Sequence, residues 1–366
     1  MPFKRSFGGV PVWALALPIV SWLLLLAVQP DAGHGAGAFV LFAALIGAVF
    51  AAVHHAEVIA HRVGEPFGTL VLAAAVTVIE SALIISIMLS DGGGSPTLAR
   101  DTLFATVMIV LNGLVGLCVI VGGVRHGSQG FQAPGAAAFL TVLVTLTTLT
   151  LILPVYTISR AGPAFTTGQL IFVSAASLAL YGVFLFVQTF RHRDFFLPVD
   201  APEDEEVHAE PPGNRLTVVS AALLLVGLGA VVLLAKTLSH PIESAVVGLG
   251  VERPAALVGG IVASLVLLPE SAAAVAAARR NRLQTSLNLA LGSGLASVSL
   301  TIPAVAAVSV WLGRPLILGL GPKETVMLAL TFVVSALTLG GGRTTVLHGA
   351  VHLVIFAVFA YLLVVP

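Results

Sequence analysis

Long apolar runs separated by short polar breaks dominate this chain. Runs of spanning length fall at about 12–28, 37–60, 67–90, 102–122, 136–157, 169–190, 216–236, 254–278, 285–310, 322–340 and 344–365. A hydrocarbon core of about 30 Å takes roughly 20 helical residues. Inside it every backbone N–H and C=O must find a partner, and a helix supplies all of them within the segment. The pattern therefore predicts an all-α integral membrane protein with about eleven transmembrane helices. One long polar break interrupts it, at 191–215, with Pro198, Glu203, Asp204, Glu205, Glu206, Pro211 and Pro212. Charge and proline together predict a flexible acidic linker there.

The position of that break suggests an architecture. With a leading helix (1–30) set apart, five runs precede the linker (37–190) and five follow it (216–366). An odd-numbered unit that occurs twice must insert the second time upside down. The halves thus read as two inverted five-helix repeats, with a site expected near the midplane between them.

Composition agrees. Of 366 residues, 58% are hydrophobic and 9% charged, against about 25% charged in a soluble domain. Seventeen basic and seventeen acidic residues balance, which gives no electrostatic footprint for nucleic acid. The single cysteine, Cys118, excludes an intramolecular disulfide and a cysteine cage for a metal. Lys4 and Arg5 precede the first run, and no small-residue cleavage site follows in good form. That run reads as an anchor, not a cleaved signal.

Basic residues set the expected orientation. With the amino terminus inside, the inner ends hold Lys4, Arg5, Arg62, Arg125, Arg191, Arg193, Arg215, Arg279, Arg280, Arg282 and Arg343. The outer ends hold Arg100, Arg160, Lys236, Arg253, Arg314 and Lys323. Eleven against six, by count of those residues, places the linker in the cytoplasm and the carboxyl terminus outside a cell inner (cytoplasmic) membrane.

Candidate chemistry concentrates at two carboxylates. Glu80 and Glu270 each stand deep in an apolar run, and each begins the string Glu-Ser-Ala. A charge at that depth costs about 2.5–3.5 kcal/mol even on the lenient insertion scale. A proton or a bound cation offsets that cost, and intramembrane acids commonly mark ion or proton paths. A structural carboxylate bonded to neighbouring helices is the plainer alternative. Thr77 lies one turn before Glu80 on the same face. Pro269 precedes Glu270 and frees the carbonyl of Leu265 from its helix bond. Asn112, and the Gly292-Ser293-Gly294 run with Ser297 and Ser299 beyond, offer oxygen donors that suit a hard cation such as calcium. The small and hydroxyl residues equally suit close helix packing. His54, Glu57 and His61 share one face at the inner end of the second helix, with Glu65 following. That face is either a solvated helix end or a proton antenna at a cytoplasmic mouth, since histidine titrates in the right range. His348 and His352 on the last helix read as structural, with His352 deep enough to join a proton path. No metal motif of the HExxH type supports a zinc site, and the acidic linker lacks EF-hand spacing.

At these residues the sequence resembles a known family. The strings are HHAEVIAHRVGEPFGTLVLAAAVTVIESALI (54–84), TLARDTLFATVMIVLNGLVGL (97–117), LLPESAAA (267–274), LNLALGSGLASVSLTIP (287–303) and GRTTVLHGAVHLVIF (342–356). Together they resemble the cation/proton exchanger branch of the calcium/cation antiporter superfamily, and within it the bacterial ChaA-type calcium/proton antiporters. The resemblance implies one leading helix, two inverted five-helix repeats and an acidic central loop. It maps the glutamate of the family's Gly-Asn-x-x-Glu motif onto Glu80 and Glu270. The Gly-Asn part is absent: Val76-Thr77 and Val266-Leu267 stand there. With fewer polar ligands, sodium or potassium is expected beside calcium.

The expected function is exchange of a cation, calcium first, for protons by alternating access. Glu80 and Glu270 would bind cation or protons, with Thr77, Asn112 and Ser293 as further ligands. Inorganic cations, protons and membrane lipids are the expected partners, and homo-oligomerisation is compatible with the reading. No enzyme activity and no resident cofactor are expected. The chain has no GxxxxGK[ST] motif, no DDxxD pair and no nucleophile beside a base at membrane depth. A cation channel without proton coupling, a permease subunit and an intramembrane enzyme are the rival classes. The orientation is checked with Ser128→Cys, Glu205→Cys and Pro366→Cys: positions 128 and 205 should label from the cytoplasm and position 366 from outside. Labelling of position 205 from the periplasm overturns the topology.

Overall fold

The computed structural model describes residues 6–7, 10–27, 35–64, 67–88, 95–197, 212–248, 250–251 and 253–365. They form an all-α membrane protein. Its helices are α1 (Val12–Ala27), α2 (Ala36–Val63), α3 (Phe67–Met88), α4 (Leu98–Met108), α5 (Val115–His126), α6 (Ala133–Thr147), α7 (Thr167–Phe186), α8 (Asn214–Gly248), α9 (Pro254–Arg279), α10 (Leu283–Leu312), α11 (Pro322–Gly340) and α12 (Val346–Val364). A π-helical turn, Ile109–Leu114, fuses α4 to α5 into one span, Leu98–His126. Eleven apolar rods result, as the hydropathy pattern predicts. Ten of them are long and apolar enough to cross a bilayer, and α1 is shorter. The chain is thus a multi-pass membrane protein.

One boundary departs from the sequence expectation. The seventh apolar run ends near 236, yet α8 continues through Pro241 to Gly248. Proline removes one backbone bond and kinks a helix. Beyond it only Val246 is buried and most side chains are exposed, so the helix passes the missing bond by its own remaining backbone bonds.

The rods gather into two compact units, and each unit takes helices from both halves of the chain. The first, Met1–Ser95 with Glu206–Gly250, contains α1, α2, α3 and α8. Here α2 packs on α1, α3 and α8. Ala44, Ala48, Ala52 and Ala56 repeat every four residues on α2 and are all buried. Small side chains let helix axes approach where no hydrophobic effect drives association in lipid. Trp22 donates from Nε1 to the Val226 carbonyl at 3.0 Å, and Arg62 donates to Asn214 Oδ1.

Pro18 explains a buried histidine in this unit. Lacking an N–H, Pro18 leaves the Ala14 carbonyl four residues earlier without its helix bond. The Nε2 of fully buried His55 lies 3.0 Å from that carbonyl. A group orphaned on α1 is therefore satisfied from α2.

The second unit, Pro96–Glu205 with Val251–Pro366, holds the other helices. In it α9 packs on α4, α5 and α10, α12 packs on α5, and α10 packs on α6 and α7. Two crossings are tight enough to require glycine. An ideal Cβ on Gly349 would lie 2.8 Å from the Gly116 carbonyl, and one on Gly116 would lie 3.2 Å from the Gly349 carbonyl. Likewise a Cβ on Gly259 of α9 would lie 2.8 Å from the Thr102 nitrogen of α4. A short antiparallel ribbon pairs Gln129 with Thr344 and Gly130 with Arg343, tying the α5–α6 turn to the α11–α12 turn. Asn288 of α10 donates to the Phe196 carbonyl at 2.6 Å, and the Phe196 ring meets Phe139 and Phe184 edge to face.

Within this unit the charged helix ends sort into the two groups that the basic-residue count separates. Arg100 pairs with Asp101 at 2.8 Å and donates to the Gly319 carbonyl at 3.1 Å. Arg253 pairs with Glu324, and Lys323 lies 3.8 Å from the same carboxylate. Asp101, Arg253, Lys323 and Glu324 line one shared cavity, so two of the predicted outer basic residues of this unit, Arg253 and Lys323, meet there. At the other end His126 reaches the Arg279 carbonyl at 3.1 Å, and Arg343 stands in the ribbon.

The Pro18–His55 arrangement makes a stability prediction. His55→Phe should destabilise the protein by about 1 kcal/mol, a usual scale for a buried hydrogen bond. In a Pro18→Ala background the residue-18 N–H recaptures the Ala14 carbonyl, and the same change should cost clearly less. Thermal unfolding of the four variants in detergent measures the coupling.

Candidate functional site

Each unit carries one of the two intramembrane glutamates. Glu80 lies past the middle of α3 in the first unit and is 1% exposed. Thr77 and Ser81 flank it and are buried. Neither hydroxyl has a hydrogen-bond partner among the described residues. Threonine and serine in helices usually return their proton to the carbonyl four residues back, as Thr102 and Ser299 do here. Two partnerless hydroxyls beside a buried carboxylate are therefore unusual, and they are free to turn their oxygens toward a ligand.

In the second unit Glu270 is half-buried on α9, directly after Pro269. Ser293 is half-buried on α10, and its hydroxyl also lacks a partner among the described residues. The π turn that carries Asn112 packs against α9, α10, α11 and α12. A π turn widens the helix by one residue and recurs at functional sites.

Asn112 sits in a polar cluster that sequence reasoning found only in part. It is fully buried. Its Nδ2 donates to Thr331 Oγ1 at 2.9 Å, and its Oδ1 lies 3.1 Å from His352 Nδ1. The other ring nitrogen, His352 Nε2, lies 3.1 Å from Thr338 Oγ1. Thr331 Oγ1 in turn lies 3.4 Å from Met108 Sδ. His352 reaches Asn112 because the Gly116–Gly349 crossing brings α12 against α5. Thr331, Ser335 and Thr338 were not expected. Their spacing of four and three residues on α11, with all three buried, is the signal that marks one polar helix face.

The cytoplasmic-mouth candidates separate. His54 Nδ1 lies 4.0 Å from Glu57 Oε2. The His54 ring packs at 5.1 Å from Trp13 and 5.7 Å from His55, so it is half-buried against α1. Glu57 and His61 are exposed. Glu65 lies outside the described residues, as does the acidic run 203–206 of the linker. Among the described residues no three His, Cys, Asp or Glu side chains group as a metal cage would.

Eleven apolar rods, two helical units and one membrane-buried glutamate in each define a multi-pass transporter of the cation-exchanger fold. The chain belongs to the sodium/calcium exchanger protein family, whose match covers residues 34–190 and 219–365. Those two segments flank the linker and correspond to the two repeats. A protein of Sinorhizobium fredii, y4hA, provisionally named an ionic transporter, is 50% identical over 98% of this chain and 97% of its own. The sodium-potassium/proton antiporter ChaA of Escherichia coli is 37% identical over 88% of this chain and 86% of its own. Among solved structures, native YfkE superposes with a TM-score of 0.71 at 18% identity, covering 97% of this chain and 99% of that one.

Proposed function

We propose that this protein is a secondary antiporter that exchanges a cation for protons, with Glu80 and Glu270 as the groups that hold one or the other. The observation that carries the reading is a pair of glutamates deep in apolar helices, one in each half of the chain, with Glu80 buried beside two hydroxyls that lack partners among the described residues. The relationship to ChaA, named a sodium-potassium/proton antiporter, supports the proton-coupled class over a channel, a permease subunit or an enzyme.

The mechanism is competition. A carboxylate in hydrocarbon is stable when protonated or when a cation neutralises it. Burial raises a carboxylate's proton affinity, and a bound cation lowers it. Cation binding thus releases protons, and protons arriving from outside displace the cation. Alternating access would move helices about a fixed midplane site, and the inward proton gradient would drive cation export. Thr77 and Ser81 serve as neutral oxygen donors on the Glu80 side. Asn112 and Ser293 serve on the Glu270 side. The backbone carbonyl of Leu265, freed by Pro269, is a further donor.

Calcium takes six to eight oxygen ligands. Leu267 supplies none where the family motif has asparagine, so the site has fewer donors than a dedicated calcium cage. That shortfall favours sodium and potassium as cargo beside calcium. His54 and Glu57 would form a cytoplasmic approach for protons or cations.

The test is flux in sealed vesicles of the purified chain, with an imposed pH gradient and Ca²⁺, Na⁺ and K⁺ in turn. Glu80→Gln and Glu270→Gln keep shape and remove charge. Each should fold, yet lose at least 100-fold in cation-driven proton release. Because the two act as a unit, the double variant should be little worse than either single. A well-folded Gln variant that exchanges near the wild-type rate shows that its glutamate is not the site. Flux independent of the pH gradient would show a channel.

A further inference from the structure

His352 has no exposed surface, and hydrogen-bond partners hold both of its ring nitrogens. We propose that His352 is a positioning residue for cation binding: it holds the Asn112 amide with the carbonyl oxygen, not the NH2, presented as ligand. The inference rests on the reading of Asn112 as a cation ligand and gives that reading a mechanism.

An amide has two ends of equal size and opposite polarity. Turned one way it offers an oxygen to a cation, and turned the other way it offers two positively polarised hydrogens. Packing hardly distinguishes the two, so polar neighbours must. Thr331 alone does not decide, since a hydroxyl both donates and accepts. The thioether of Met108 tips that end. It only accepts, and it lies 3.4 Å from Thr331 Oγ1 and 3.8 Å from Asn112 Nδ2. The NH2 therefore belongs on the Thr331 side.

His352 settles the other end. With the NH2 on the Thr331 side, Oδ1 faces His352 at 3.1 Å, so the ring proton belongs on Nδ1, which donates to it, and Nε2 is left to accept from Thr338. An amide oxygen has two lone pairs. One takes the His352 hydrogen, and the second remains for an ion. The cluster is a clamp and not a proton wire, because an amide passes no proton while it stays an amide. Two other donor-bearing helices converge on the same turn: α9, with Glu270, and α10, with Ser293, both pack against the π turn that holds Asn112.

Two isosteres separate this role from simple packing. In His352→Asn the new Nδ2 takes the place of the ring Nδ1 and keeps the donor to Asn112. In His352→Gln the new Oε1 takes the place of the ring Nε2 and keeps only the bond accepted from Thr338. Initial uptake rates of Ca²⁺, Na⁺ and K⁺ in vesicles give the half-saturating concentration and the maximal rate for each variant. Asn112→Ala should raise the half-saturating concentration about tenfold or more. His352→Gln should raise it comparably with the maximal rate nearly kept. His352→Asn and Thr338→Val should stay within about twofold of wild type, and Asn112→Ala with His352→Gln should be no worse than Asn112→Ala alone. His352→Ser, too short to reach Asn112, should behave as His352→Gln and serves if the latter does not fold. A wild-type half-saturating concentration in both His352→Gln and His352→Ser, beside a raised one in Asn112→Ala, overturns the inference. So does a defect in Thr338→Val that equals the defect in His352→Gln. An unchanged value in Asn112→Ala removes the underlying reading of Asn112 as ligand and leaves the two-glutamate exchange untouched.

Discussion

A polar group in hydrocarbon must have a partner, and this constraint runs through the whole protein. Water is absent from the bilayer core, so the backbone satisfies itself in helices. Where proline breaks that pattern, something else must supply the bond. The Ala14 carbonyl, left open by Pro18, is met by His55 from the neighbouring helix. The same rule applied to side chains produces the Asn112–His352–Thr338 cluster. It also gives the two glutamates their meaning. A proton or a cation would offset their charges, which is what the proposed exchange requires.

Close packing makes those partnerships reachable. Lipid tails are as apolar as leucine, so helices in a membrane are held by fit and hydrogen bonds. Alanines every fourth residue on α2 and the facing Gly116 and Gly349 on α5 and α12 let backbones approach. Without the second crossing His352 would stand a side chain's width too far from Asn112. Glycines that carry no chemistry thereby set the geometry of residues that do.

Much of the fold was legible in the sequence because the bilayer imposes a length on every span. Eleven runs, the polar break and the two deep glutamates all follow from hydropathy and position. The family pattern at 76–80 and 266–270 added the correspondence between the halves. The end of α8 was not legible, because the apolar run stops near 236 and the more polar turns beyond it, with Pro241, carry no hydropathy signal. The histidine cluster was half legible. His352 and Asn112 stand 240 residues apart, and nothing local shows that a glycine crossing joins them. Thr331, Ser335 and Thr338 were overlooked because hydroxyls at helical spacing are ordinary in membrane helices. What sets two of them apart is what they bond: Thr331 meets Asn112 of the π turn and Thr338 meets His352 of α12.

The π turn at Ile109–Leu114 has one more consequence. In the second repeat, the helix that carries Ser293 runs as an uninterrupted α-helix from Leu283 to Leu312. An ideal inverted repeat would relate its inward-open and outward-open forms by a two-fold rotation and give them equal energy. Here one half contains a widened turn with an asparagine bonded at both ends of its amide, and the other contains a plain helix with a serine hydroxyl that lacks a partner among the described residues. The two forms therefore differ by whatever these contacts gain or lose as the helices move. A difference of about 1.4 kcal/mol, close to one buried hydrogen bond, shifts the resting population tenfold. If the empty carrier alternates as proposed, this divergence between the two halves of the chain biases which of its two forms is populated.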